Sequence, residues 1–405
     1  MDGEQIIGEL MGLEGRADPY PLYRMAHGLG PAAAAGENAV LVCGHREVNQ
    51  VLRSTAFHVP DAVLRERWEE GFLDHSSKTL FSRSILETNA PHHSRMRSLI
   101  ASVFTARRVA ALEPAVRAAV TGLLDELAEA GAGGDPVDFM DAFAFRLPVG
   151  VICELLGVPE EDRYRFRPLA SDLTAALELL VSEEELTAAD QAADELSGYF
   201  TELADRRAKE PTDDLVSALV QVAAEDPGRI SGRELLANLV LLLVAGFETT
   251  TNLLGNGLAL LFDHPAEREA LRTGALAPAS FVDEVLRFDS PVQLTSRISL
   301  SDELTAGGVP TPYGTALFLL IGAANRDPSR YAEPDRFDPY RTDSQPLSFG
   351  AGAHFCLGAQ LARQEAALAM PELLRRFPRL APAGPRTRTD RLVLRGYRTQ
   401  PVTLG

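Results

Sequence analysis

The chain has 405 residues, 45% of them hydrophobic, with a formal net charge of -18 and a pI near 4.9. So acidic a surface repels nucleic-acid backbones and anionic lipid, which excludes both as partners. Cys43, Cys153 and Cys356 are odd in number and widely spaced, so a reducing, cytoplasmic setting is expected and a disulfide framework is not.

The N-terminal "MDGEQIIGELMGLEGRADPYPLY" is acidic and lacks the basic and apolar regions of a signal peptide. "NAVLVCG" (Asn38–Gly44) reads as a strand. Phe57 to Pro91 shows no sustained period, and long irregular loops inside compact domains are usually functional or mobile. Arg107 to Ala130 is helix-periodic and ends at "GAGGDP". Asp141 to Leu156 and the charged Glu183 to Lys209 are further helices. Ser231 opens a long helix to about Asp263, with Glu234 completing a capping box. Its apolar run, Leu235 to Phe247, stops at Glu248, short of the ~20 residues a membrane span needs. Pro278 to Arg287 is helical. Gly314 to Pro328 opens as a strand, and Arg391 to Leu404 reads as a hairpin. The expected fold is mainly α with small β-sheets at the two ends of the chain. No Pro/Ser linker divides it, so residues 1–405 are expected to form one domain.

Cys356 stands in "LSFGAGAHFCLGAQLAR" (Leu347–Arg363), where a helical pattern begins. A helix N-terminus offers unpaired N–H groups and a positive dipole end, and both stabilise a thiolate. Gly350 and Gly352 permit positive φ or close approach to something bulky. Three roles compete. The cysteine can be structural, in a Gly-rich turn. It can be a nucleophile, which needs a base; His354, two residues away, would not face the sulfur. It can ligate a metal. Zinc wants about four Cys/His ligands, whereas one thiolate suits an iron whose other ligands are not protein, as in haem.

"FGAGAHFCLG" (Phe349–Gly358) resembles the haem-binding signature Phe-Gly-x-Gly-x-His-x-Cys-x-Gly of the cytochrome P450 family at every fixed position. Three further segments resemble that family's motifs in its order. They are "AGFETT" (Ala245–Thr250), "EVLR" (Glu284–Arg287), and "ANRDP" followed by "PDRFDPYR" within Ala324–Arg341. The similarity runs from Asp18 to the C-terminus. It implies the cytochrome P450 fold, with haem b (iron protoporphyrin IX) between the long central helix and the helix after the Cys loop. It also implies a soluble bacterial enzyme close to macrolide- and polyketide-tailoring members.

By this resemblance Cys356 is the thiolate ligand of the haem iron, and its electron-rich sulfur favours O–O cleavage. Phe349 packs beside the sulfur and Gly358 completes the signature. His93, Arg97, Arg297 and His354 meet the haem propionates; His93 and Arg97 are i, i+4 on one helical face. Glu284 and Arg287 form a buried structural pair that supports the haem loop. Thr249 and Glu248 are the catalytic pair, a hydroxyl for oxygen activation and an acid that relays protons inward. Gly246 and three threonines are poor mid-helix choices, which suits a distorted turn opening a groove; Thr249 can bond back to the Ala245 carbonyl. Phe247, Val292 and Leu294 are the expected substrate contacts, with more wall from Phe57–Ile85 and about Leu169–Leu180. Pro371 should kink or end regular hydrogen bonding near Ala367.

The implied activity is insertion of one oxygen atom from O₂ into a bulky hydrophobic small molecule, by hydroxylation or epoxidation, in bacterial secondary metabolism. Oxidative coupling, peroxide-driven oxidation and a non-catalytic haem sensor are the alternatives; the Glu248–Thr249 pair argues for O₂ activation. No strand–GxGxxG–helix or Cys cluster marks a built-in reductase. Electrons are therefore expected from a ferredoxin and ferredoxin reductase, docking on the Cys356 side at Arg107, Arg108 and Arg363. A monomer is expected.

Overall fold

In the computed structural model the described residues, 1–226 and 228–405, fall into two compact units. One comprises Met1–His58, Val116–Arg146 and Thr249–Gly405; the other comprises Val59–Ala115 and Leu147–Glu248. Helices dominate both, and the sheets are small. The central helix, Gly232–Asp263, contributes to each. Its start carries the expected capping box: the Glu234 N–H donates to Ser231 Oγ at 3.3 Å and the Ser231 N–H to Glu234 Oε2 at 2.8 Å.

The first unit is organised by a five-stranded sheet in the order Ala32–Ala34, Ala39–Val42, Ala316–Leu320, Leu294–Ser299, Phe57–His58. Ala39–Val42 and Ala316–Leu320 run parallel, and the other pairs are antiparallel. Strand alternation divides its side chains between two clusters. On one face Val40, Val42, Leu317 and Leu319 pack with Leu347 and Ala351 of the Cys loop. On the other Leu41, Leu294 and Leu320 pack with Ile6, Leu10 and Tyr23. The Cys loop is thus seated on one face of the sheet and the N-terminal helices on the other.

Several expectations change here. Arg391–Leu404 is not a hairpin. Tyr397–Thr399 pairs with Thr387–Arg388, whereas Pro401–Thr403 pairs with Val137–Asp138 and Ala381–Pro382. Gln400 explains the divergence: it is fully buried, and its backbone N–H donates to Asp138 Oδ1 at 2.8 Å. Arg107 to Ala130 is two helices, Ala106–Ala111 and Glu113–Ala130. Helix Ala359–Arg376 runs through Pro371, which is buried, so the proline does not end it.

In the second unit, helix Glu183–Lys209 begins at a Ser182–Glu185 capping box and ends on Arg206, Arg207 and Lys209, which suit its dipole. It packs on Phe166–Ala175 through the edge-to-face rings of Phe166, Tyr199 and Phe200. Residues 57–91 are less irregular than expected; they include helices Ala62–Trp68 and Ser76–Ser82.

The central helix is long and apolar enough to cross a membrane, because it continues through Glu248 where the apolar run was expected to stop. Of its most apolar window, 67% is buried inside the protein, as in a core helix.

Candidate active site

The Cys356 loop is held from within and from below. The Cys356 N–H donates to the Phe349 carbonyl at 2.9 Å and the Gly350 N–H to the Leu347 carbonyl at 2.7 Å. Gly350 and Gly352 have φ of +69° and +70°, where an L side chain is strained. At Gly352 a Cβ would also come within 2.5 Å of the Leu52 carbonyl oxygen, so the bulky neighbour there is the end of helix His45–Arg53. Gly358 differs. Its φ is ordinary, and a Cβ there would meet only Cys356 Sγ, at 3.9 Å. That glycine keeps space beside the sulfur.

The three cysteines separate by burial. Cys43 and Cys153 are buried, and burial pushes each thiol up to about 12. Cys356 is exposed. The purely structural reading therefore fits the first two and not the third.

Beneath the loop lies a chain of buried polar contacts. Glu284 and Arg287 are 1% and 0% exposed and share a two-pronged ion pair, both prongs 2.7 Å. The same guanidinium donates to the carbonyls of Asn325, Pro334 and Arg336 at 3.0, 2.8 and 2.9 Å. Asn325 in turn accepts from the Leu347 N–H at 2.7 Å and donates to Ser348 Oγ at 2.9 Å. The ion pair is thereby linked through Asn325 to the first residues of the Cys loop. Asn325 lies in the "ANRDP" segment but drew no attention as a single residue.

Strand register settles two further assignments. Arg297 lies opposite Leu317, and Leu294 opposite Leu320. Directly opposed residues share a face, so Arg297 is on the Cys-loop face and Leu294 on the other. Leu294 is 3% exposed within the N-terminal cluster and packs as core, not as a pocket wall. Val292 is half-buried and bridges to Leu394. Arg297 is buried, and its Nη1 donates to the Ser296 carbonyl at 2.7 Å. Burial lowers its guanidinium to about 10, and among the described residues no carboxylate pairs with it.

Phe349 and His354 are half-buried. The Arg363 guanidinium lies 4.4 Å from the Phe349 ring centroid and pairs with Asp283 at 2.8 Å. Arg108 pairs with Asp213 at 3.7 Å, and Arg107 is exposed. Two of the three arginines expected to form a basic docking patch are thus partnered by acids.

In the second unit, His93 is buried and Arg97 half-buried on helix His92–Val103, with His92 exposed. Phe247 is fully buried, whereas Ala245 is exposed and Glu248 and Thr249 are half-buried. The central helix stays helical across all of them. Gly246 has a packing role, since a Cβ there would stand 2.6 Å from Ile152 Cγ1.

The family model for Cytochrome P450 matches residues 35–274 and 279–398. The chain belongs to the cytochrome P450 family. It is 42% identical to a vitamin D(3) 25-hydroxylase of Pseudonocardia autotrophica over 321 residues, 78% of this chain and 76% of the relative. It is 36% identical to the 6-deoxyerythronolide B hydroxylase of Saccharopolyspora erythraea over 357 residues, 87% and 86% of the two chains. The crystal structure of Mycobacterium smegmatis CYP164A2 superposes with a TM-score of 0.88 at 35% identity, over 99% of this chain and all of that one. This P450 has the family's fold, is a monooxygenase, and binds haem b.

The residues present fit that group. The cysteine with room beside its sulfur is the exposed one, and a thiolate needs such access to ligate iron. A buried guanidinium without a carboxylate suits a propionate, because a buried cation is costly unless paired. Both sit on one face of the same sheet. When bound, the haem supplies the iron at which O₂ is reduced.

Proposed function

We propose that this P450 hydroxylates or epoxidises a bulky hydrophobic organic substrate in bacterial secondary metabolism, of polyketide or macrolide type. The observation that carries the reading is the pair of relatives above, each named for the bulky compound it hydroxylates. Cys356 ligates the haem iron. Arg297, with His354, His93 and Arg97, meets the propionates. The half-buried Glu248 and Thr249 lie at consecutive positions on the central helix. Thr249 holds a proton donor on the oxygen side, and Glu248 passes protons to it from solvent. Val292 and Phe247 are the candidate wall residues among the first-named contacts. Electrons come from a ferredoxin and its reductase, and the enzyme works as a cytoplasmic monomer.

The experiment is a screen of polyketides, macrolides, sterols and fatty acids for a haem spin-state shift, followed by product analysis with a reconstituted ferredoxin system. A product carrying one ¹⁸O atom from ¹⁸O₂ on a macrolide or polyketide supports the reading. Turnover confined to short fatty acids, or coupling without oxygen insertion, overturns it.

A further inference from the structure

The first unit holds a groove of about 330 Å³, at the low end of the ~300–1,000 Å³ of small-molecule sites. Helix His45–Arg53 gives it one wall, with Glu47, Gln50 and Val51. Phe57 and the stretch from Glu303 to Gly307, which enters the Thr305–Pro310 hairpin, give it the rest. Cys356, Arg297, His354 and Val292 do not line it, so it is separate from the site described above.

Glu47 is buried, 6% exposed, and its two carboxylate oxygens differ. Oε1 accepts both bonds from Arg46, Nε at 2.9 Å and Nη2 at 2.7 Å, whereas Oε2 accepts none. The Arg46 side chain is 80% exposed. So solvated a partner offsets little of the cost of burying a carboxylate, which leaves room for a second cation. The backbone is shaped around this side chain. A Cβ at Gly44 would stand 2.4 Å from Glu47 Oε2, and one at Gly307, 3.4 Å from its Cγ. Gly307 is itself a groove residue with φ of +57°, so the hairpin turn closes against Glu47.

Charge and lining select the ligand. Glu303 is exposed at the entry to the hairpin, so the groove has an acid on each wall, and no lining residue is cationic. The lining also includes Val51 and Phe57, both buried, and the half-buried Leu304. Two carboxylates beside apolar surface suit an organic cation with an apolar body. They suit a divalent metal less, since such an ion takes about six oxygens, and among the described residues no three acidic, His or Cys side chains cluster to hold one. The same apolar cluster contains Leu347 and Ala351 of the Cys loop, and the Leu52 carbonyl on the groove helix abuts Gly352.

We propose that this groove is an effector site for a small aliphatic diammonium ion, and that filling it braces the helix against which the Cys loop rests. One ammonium donates to Glu47 and the other to Glu303, while the methylenes cover Val51, Phe57 and Leu304. Both ends then make charge-assisted hydrogen bonds. A diol makes them without the charge, and a monoamine makes one of the two. The proposal goes beyond the monooxygenase reading and does not rest on it.

The test is calorimetric titration of the haem-loaded protein with 1,4-diaminobutane, butylamine, 1,4-butanediol and magnesium chloride. One diamine should bind per chain, about tenfold tighter than the diol, the worth of charge-assisted over neutral bonds at both ends, with butylamine between them. Glu47→Gln and Glu303→Gln should each weaken the diamine toward butylamine. Raising the salt to 1 M shortens screening to ~3 Å. It should erase the effect of Glu303→Gln, at an exposed carboxylate, and spare that of the buried Glu47→Gln. The Glu303 variant, altered only at the surface, covers a Glu47→Gln protein that does not fold. Diamine bound at many sites, or equally well by both variants, would assign it to the general acidic surface and overturn the proposal. So would magnesium displacing it at equal concentration, or a red-shifted Soret band that saturates with the heat and marks nitrogen on iron. Haem transfer to excess apomyoglobin checks the bracing. Saturating diamine should slow it severalfold in wild type and not in Glu47→Gln; an unchanged wild-type rate would overturn the effector role.

Discussion

Arg287→Lys isolates what the buried guanidinium does beyond carrying charge. Arg287 uses three nitrogens for five hydrogen bonds, two to Glu284 and one each to the carbonyls of Asn325, Pro334 and Arg336. A lysine presents three donors from one point and has no planar fork. At least two acceptors around this fully buried side chain therefore lose their partner, at up to ~1–3 kcal/mol each, or ~2–6 kcal/mol together. Domain stabilities are ~5–15 kcal/mol, so the variant should fold but weakly. At ~2 cal/mol/K per residue of unfolding entropy, each kcal/mol moves the melting temperature of a chain this long by ~1 °C. A fall of ~2–6 °C is expected in a calorimetric scan. The distinctive consequence is local. Asn325 loses the donor to its carbonyl while its side chain holds Leu347 and Ser348. Haem occupancy, read from the Soret absorbance per protein, should drop before global melting begins. Full occupancy with an unchanged melting temperature would refute the idea that the fork supports the loop.

Cys356→Ser should abolish the strongly red-shifted Soret band of the reduced carbon monoxide complex; a variant that keeps the band would remove the ligand assignment. Thr249→Ala should still take up haem and substrate but divert electrons to peroxide, while Glu248→Gln mainly slows turnover; coupling as tight as wild type in Thr249→Ala would refute the role. Burial acts to raise the Asp289 carboxyl, but Arg388 and Arg395, 2.8 and 3.0 Å away, outweigh it and hold the carboxyl well below the usual range. A carboxyl depressed in the folded state adds stability above its unfolded value of ~4, and that stability is lost as pH falls through the folded one. Asp289→Asn should therefore lower the melting temperature at pH 7 and by less at pH 3, and a gap constant across that range would exclude the effect.

The sequence by itself determined the family and the long helices, and singled out Cys356. Those signals are local: the Phe349–Gly358 spacing, the Ser231 cap, and apolar periods carried over many turns. The Glu284–Arg287 pair was legible because i, i+3 residues meet on any helix. What only the tertiary structure decided depends on partners distant in the chain. Leu294 became core and Arg297 took the Cys-loop face through pairing with Ala316–Leu320, and one residue of register would reverse both. Gly246 and Gly352 are glycines because Ile152 and Leu52 approach them, neighbours that no local pattern announces. Pro401–Thr403 left its expected hairpin because Asp138 captures Gln400 across the chain.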